Sequence, residues 1–318
     1  MILSGNLGYN ETCAALACMF WNWEMVQLTH KAKYSDLFEW QLYNAAGVGM
    51  GIDGTTYFYN NPLTCRGGVT RKAWYEVPCC PSNISRTWAN LGKYLYSHDE
   101  SNIWVHQYVD SEADMESCDG VKFKMQSGLP WCNSVRIELN PHENQEFSLN
   151  IRIPSWASGV TAQLNGEILK PQKKENYTIQ TASGFDPRES YFWLIKRSWS
   201  PGDVLEIEFG MDIKLHHAHP KVNEHKRQIA LSFGPVVYCL ESIDNPGIDI
   251  FTVQIDPDSL REKFNPDLLG GTTVIEATSS EGIPLIFIPY YLWGNRGTSQ
   301  MTVWVNAFDG SNSSNISY

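Results

Sequence analysis

The sequence predicts an α+β protein, helices first and antiparallel β-sandwiches after. Two observations carry this. Apolar residues recur at a helical period over residues 1–98, and from about Ser101 onward they alternate with polar ones. A third supports it: turn signals such as Asn165-Gly166 and Pro201-Gly202-Asp203 separate the alternating stretches, as they do in sandwiches built from short strands.

The helical part reads in order. After Glu11-Thr12, the positions Leu16, Met19, Phe20, Trp23 and Val26 step by threes and fours along one helix face. Tyr34, Leu37, Phe38, Gln41, Leu42 and Ala45 repeat that spacing, with Ser35-Asp36 near the start. The stretch GVGMGIDGTTYFYNNPL then breaks the period; Asp53-Gly54 is a turn signal, and Thr55–Tyr59 reads as a short hairpin strand. A third helix is expected to open at Ser82 or Asn83 and run to about Leu95, placing Ile84, Trp88, Leu91 and Leu95 together.

The strands follow. Ile103/Val105, Val121/Phe123/Met125, Val135/Ile137/Leu139 and Phe147/Leu149/Ile151/Ile153 alternate as half-buried antiparallel strands do. Further strands are expected at Tyr191–Lys196, Val204–Phe209, Gln228–Ser232, Val236–Leu240, Leu285–Pro289 and Met301–Val305. The domain division is then 1–98 helical, 99–210 a β-sandwich, and 211–318 a second sandwich or a continuation of the first. Three helices are too few for an independent helical domain, so their apolar faces call for partners.

Composition narrows the function. A net charge of −11 over 318 residues argues against nucleic acid or an anionic membrane as partner. No run is long and apolar enough to span a bilayer, and MILSGNLGYNETC lacks the basic and apolar regions of a signal peptide, so the compartment stays open. The 12 Trp, 15 Tyr and 13 Phe suit sugar rings, but they suit a core first. Eight dispersed cysteines fit reduced thiols or a metal better than a disulfide framework.

Chemistry concentrates in two short stretches. Glu11-Thr12-Cys13 places a carboxylate and a thiol at the start of one predicted helix; Cys79-Cys80, flanked by Pro78 and Pro81, sits just ahead of another. One oxygen and three sulfurs make a tetrahedral set that a borderline-soft ion such as zinc accepts. By spacing alone the same residues read first as buried thiols and only distantly as a strained vicinal disulfide, and Cys18 and Cys65 compete for any ligand role. His216-His217-Ala218-His219 falls at a strand end and reads as structural. Asn10, Asn83 and Asn176 open sequons by pattern; the first two overlap the cysteine blocks and read as chance.

GYNETCAALACMFWNWEMVQLT, YSDLFEWQLYNAAGVGMGIDGTTYFYNNPL and PCCPSNISRTWANLGKYLY closely resemble the β-L-arabinofuranosidase family of glycoside hydrolases, family 127, and its relative 146. The likeness continues through RIPSWA, LNGE, AHPKVNEHKRQIALSFGPVVYCLE and MTVWV, nearly the whole chain. The resemblance implies the C-terminal part of an (α/α)6 barrel followed by sandwiches. It implies one zinc held by Glu11, Cys13, Cys79 and Cys80, with Cys79 the nucleophile that forms a thioglycosyl intermediate, so that arabinofuranosyl groups of a glycan are released with retention. By motif, Glu39 and Tyr59 match pocket-facing residues and are expected to bind substrate. The family's acid/base glutamate lies in a G-E-A-F-like segment ahead of E-T-C, and MILSGNLGYN holds no carboxylate. The chain is therefore expected to be a C-terminal portion, partnered by an upstream half or a companion chain. The competing expectation is a non-catalytic, zinc-stabilised sandwich that binds glycans or another protein.

Overall fold

The structure is a computed structural model describing residues 9–169 and 189–308. Helix α1 spans Thr12–Thr29 and buries Leu16, Met19 and Val26, as the spacing requires, while Trp21 and Leu28 stay exposed on its far side. Helix α2, Ala32–Gln41, continues into a π-helical turn at Leu42–Ala46. Its buried face is not the expected one. Ser35, Asp36 and Glu39 are buried beside Phe38, whereas Tyr34 and Leu37 are half-exposed, because α2 docks its acids on a buried arginine described below. Helix α3 starts earlier than expected, at Cys79, and ends at Ala89. Pro81 is admitted because residues of a first helical turn have no intrahelical partner for their N–H groups. Leu16, Met19, Phe38, Leu42, Ala46, Tyr57 and Ile84 form the common core of this region.

The Thr55–Tyr59 stretch makes single bridges, Met50 to Tyr57 and Tyr57 to Lys72, in place of the expected ladder. The first strand is the short β1, Thr64–Cys65. Then come β2 (Tyr96–His98), β3 (Asn102–Val105), β4 (Ser111–Met115), β5 (Val121–Ser127), β6 (Ser134–Asn140) and β7 (Gln145–Ile153). They are followed by β8 (Val160–Leu164), β9 (Glu167–Leu169), β10 (Tyr191–Trp199) and β11 (Asp203–Phe209). A four-stranded sheet, β10-β7-β3-β2, faces a six-stranded one, β4-β5-β6-β11-β8-β9. Ile103, Phe123, Ile137, Leu149, Ile151, Trp199 and Leu205 fill the space between, so this is a sandwich. β7 is buried on both faces. Phe147, Leu149 and Ile151 enter the sandwich core, while Ser148, Asn150 and Arg152 lie on the other face, toward α2.

The last strands are β12 (Ile213–His217), β13 (Gln228–Phe233), β14 (Val236–Glu241), β15 (Gln254–Asn265), β16 (Thr272–Ser279), β17 (Pro284–Pro289), β18 (Met301–Thr302) and β19 (Val305–Ala307). Where a second sandwich or a continuation was expected, the pairing runs β14-β17-β16-β15-β19-β13 and returns to β14, closing a ring. Closure removes the exposed edges that an open sheet would leave. Leu231, Tyr238, Leu240, Ile275 and Phe287 pack in one cluster. The alternate residues, Ala230, Val237, Cys239, Val274 and Ile288, pack with Val48, Phe58 and Cys65 of the helical region. Asn44 completes the join, its Oδ1 accepting from Val237 N at 2.7 Å and its Nδ2 donating to Pro235 O at 2.8 Å. Among the described residues, no helix is long and apolar enough to cross a membrane.

Candidate metal and active site

Glu11 is the residue capping the start of α1, Cys13 lies in its first turn, and Cys79 and Cys80 open α3. Folding brings these two beginnings together. The Glu11 carboxylate and the three sulfurs all lie within 4.8 Å of one another. Cys79 Sγ is 3.9 Å from Cys80 Sγ, and each of these sulfurs is 3.7 Å from Glu11 Oε1. A tetrahedron with metal–sulfur bonds of ~2.3 Å and a metal–oxygen bond of ~2.1 Å has S···S edges of about 3.8 Å and S···O edges of about 3.6 Å. The observed distances match those edges, and the residues fit a tetrahedral ion. The sulfurs are too far apart for a vicinal disulfide, and all eight cysteines are free. Cys18 is exposed on α1, and Cys65 is buried against the C-terminal sheet, so neither competes.

Burial pushes the Cys13 and Cys80 thiols up from the ordinary cysteine value. Left to themselves they hold their protons at neutral pH, and a cation among them would reverse that preference. Tyr59 Oη lies 2.9 Å from Cys79 Sγ, a contact that raises the phenol's pKa, with burial adding to it.

The segment carrying Tyr59 is pinned from several sides. Thr12 N donates to Tyr59 O at 3.0 Å, Thr12 Oγ1 to Phe58 O at 3.0 Å, and Asn61 N to Asn10 O at 2.9 Å. Phe58 stacks on Trp293 with ring centroids 4.7 Å apart, and the Arg71 guanidinium lies over Phe58 at 4.1 Å. Arg71 in turn donates to the carbonyls of Val48 and Trp293 at 2.8 and 3.1 Å. Gly49 lets this segment close on α1, since a Cβ there would meet Thr12 Cγ2 at 2.5 Å.

Glu39 lies in a buried ion cluster on α2. Its two oxygens accept from Arg152 Nη2 at 2.6 Å, Arg152 Nη1 at 3.1 Å and Trp156 Nε1 at 2.8 Å, and the residue is only 4% exposed. Arg152 Nη1 also donates to Asp36 Oδ1 at 2.6 Å, and Ser155 N and Oγ cap Asp36 Oδ2 at 2.8 and 2.6 Å. Burial, with Glu39 adding to it, pushes the Asp36 carboxyl up to about 6 against the pull of Arg152. These acids fasten α2 to the end of β7. Sequence reading missed Arg152 because on β7 it shares the parity of Ser148 and Asn150, normally the wet face of a strand.

The sequons are accounted for in part. Asn10 is tied through both its backbone groups, and Asn83 sits within the sulfur cluster, donating from Nδ2 to Cys13 Sγ at 3.5 Å. Asn176 lies outside the described residues. The histidine tract is structural as expected at His216, which bonds Ser232 Oγ at 2.7 Å from the end of β12.

Residues 2–93 match the family model described as beta-L-arabinofuranosidase, GH127 catalytic domain; residues 102–211 match the corresponding middle domain, and 213–306 the glycoside hydrolase family 127 C-terminal domain. The chain is 29% identical to a non-reducing end beta-L-arabinofuranosidase of Bifidobacterium longum subsp. longum, over 93% of its own length and 49% of that protein's. It superposes on a GH127 beta-L-arabinofuranosidase from Geobacillus stearothermophilus T6 with a TM-score of 0.83 at 32% identity, covering 96% of this chain and 52% of that one. A second structure, titled as a GH127 beta-arabinofuranosidase, gives 0.84 at 27% identity, covering 95% and 50%. The chain thus spans about half the length of the curated relative that it matches.

Proposed function

This chain belongs to glycoside hydrolase family 127 as a partial-length homologue, and from that premise we propose that it carries the nucleophile of a retaining β-L-arabinofuranosidase. The observation that carries the proposal is the convergence of Glu11, Cys13, Cys79 and Cys80 within 4.8 Å, with Glu11, Cys79 and Cys80 at tetrahedral-edge distances. Zinc, the ion that this donor set suits, would keep the sulfurs ionised near neutral pH. Residues 1–98, as part of an (α/α)6 barrel, present the cluster; 99–210 and 211–318 hold it in place.

Cys79 is the nucleophile in this reading. It is less buried than Cys80 and has the Tyr59 hydroxyl beside it. Its sulfur attacks the anomeric carbon of an arabinofuranosyl unit while the leaving oxygen departs with a proton. Glu11 is committed as a ligand, so that proton comes from another group. Water then attacks the same carbon, the C–S bond breaks, and two inversions give net retention. Tyr59 steers the sulfur through its hydroxyl, and its ring is braced by Tyr75 at a centroid distance of 5.4 Å. Glu39 serves the site indirectly, by holding α2 and the π-turn that follows. Arabinose-containing glycans are the substrate class.

The test is turnover of an aryl β-L-arabinofuranoside, whose leaving group needs little protonation. We expect hydrolysis that Cys79→Ala abolishes. Full activity in Cys79→Ala would refute the nucleophile, and tight glycan binding without hydrolysis would favour the non-catalytic alternative.

A further inference from the structure

We propose that Asn83, oriented by Arg86, is a positioning residue of the sulfur cluster that fixes Cys13 as the spectator thiolate and leaves Cys79 as the sulfur free to react. The inference rests on reading the cluster as a metal centre. Three sulfurs of one residue type surround the site, yet their surroundings differ. Cys13 Sγ accepts from Asn83 Nδ2 at 3.5 Å, Cys79 Sγ has the Tyr59 hydroxyl, and Cys80 is fully buried.

An asparagine amide can face a neighbour with either its oxygen or its nitrogen, and only the nitrogen can donate. Here that choice is made by a third residue. Arg86 Nε, one turn further along α3, donates to Asn83 Oδ1 at 2.7 Å. Since Arg86 has no acceptor, the oxygen must face it and the N–H groups must face Cys13. The Arg86 guanidinium lies 5.5 Å from the Phe20 ring of α1, so the relay reaches back to the helix that carries Cys13.

A donated hydrogen bond draws electron density from a thiolate and lowers the energy of its lone pairs. Cys13 then becomes the poorer nucleophile while remaining a ligand. Partners of this kind around ligating atoms tune metal sites throughout proteins. The contact is also a distinct use for a residue whose sequence context, Asn83-Ile84-Ser85, reads as a glycosylation signal.

Cobalt(II) supplies a readout independent of turnover, because sulfur-to-cobalt charge-transfer bands report lone-pair energy. The intact chain is loaded with cobalt and compared with Asn83→Asp, which keeps the shape but loses the donor, and with Arg86→Met, which frees the amide to turn. We expect one cobalt per chain in all three, with the charge-transfer band moved to longer wavelength in Asn83→Asp and moved less in Arg86→Met. Should Asn83→Asp not fold or not hold cobalt, Arg86→Met decides. Unshifted bands at full cobalt occupancy would overturn the role of Asn83 while leaving the metal centre standing. Failure of the unsubstituted chain to take up cobalt would overturn the metal centre and this inference with it.

Discussion

The Tyr59 hydroxyl lies 2.9 Å from the sulfur of Cys79, and the chain around Tyr59 is held by both α1 and the C-terminal sheet. Removing the hydroxyl in Tyr59→Phe takes away a hydrogen bond to the sulfur that is charged in the proposed mechanism, worth roughly 1.5–3 kcal/mol. We expect kcat on an aryl β-L-arabinofuranoside to fall by about 10- to 100-fold with the melting temperature nearly unchanged. Loss of stability without loss of kcat would show that the tyrosine merely packs.

Metal removal has its own signature. An ion bound only by the folded state stabilises it by ~3–4 kcal/mol at 100 to 1,000 times its Kd, or about 10 °C in Tm for a chain of this size. Dialysis against a chelator should lower Tm by that order, and adding zinc back should restore it. Cys80→Ser should mimic the stripped protein, while Cys18→Ser, at an exposed position, should not. Elemental analysis together with calorimetry checks both.

The ion cluster under α2 predicts a stability effect in place of a direct catalytic one. Arg152 is fully buried and serves two carboxylates, Asp36 and Glu39. Arg152→Met leaves those acids without their cation and should cost about 3–5 kcal/mol in urea unfolding. Glu39→Gln keeps the shape and should cost less. If Glu39→Gln instead raised KM sharply at unchanged stability, Glu39 would act as a substrate residue.

His106 gives the pH dependence. It is buried between Ser35 and Ser97, and burial lowers its pKa from 6.5 to about 3. The folded state therefore keeps it neutral while the unfolded chain binds a proton below pH 6.5, so its contribution is lost as pH falls. Each pH unit is worth ~1.4 kcal/mol, or about 2 kcal/mol between pH 6.5 and 5. Asp36, raised from 3.8 to about 6, acts with the opposite sign, because its folded form holds the proton in that window. The comparison with His106→Gln isolates the histidine. The stability gap between the two proteins should narrow by about 2 kcal/mol from pH 7 to pH 5, and a constant gap would exclude the assignment.

What the sequence disclosed follows from what is local. Residue type and spacing at Glu11, Cys13, Cys79 and Cys80 left buried thiols open, and the motif resemblance singled out the set; the structure brings all four together. The start of α3 was misjudged because prolines read as breaks, although Pro81 fits a first turn. The Arg152 partner of Glu39 was hidden because it lies 113 positions away on a strand face that reads as wet. The closed ring was hidden too. β15 carries Pro257 and a register shift between Asp256 and Arg261, which blur its alternation, and ring closure is a matter of distant pairings.

One consequence concerns modularity. Val48, Phe58 and Cys65, from the stretch bearing Tyr59, share a single core with Val237, Cys239 and Ile288 of the C-terminal ring. The segment bearing Tyr59 has borrowed its floor from the far end of the polypeptide. Excising residues 9–98 as a minimal enzyme would strip that floor away and spill greasy surface into water, so the three stretches cannot be traded as independent cassettes.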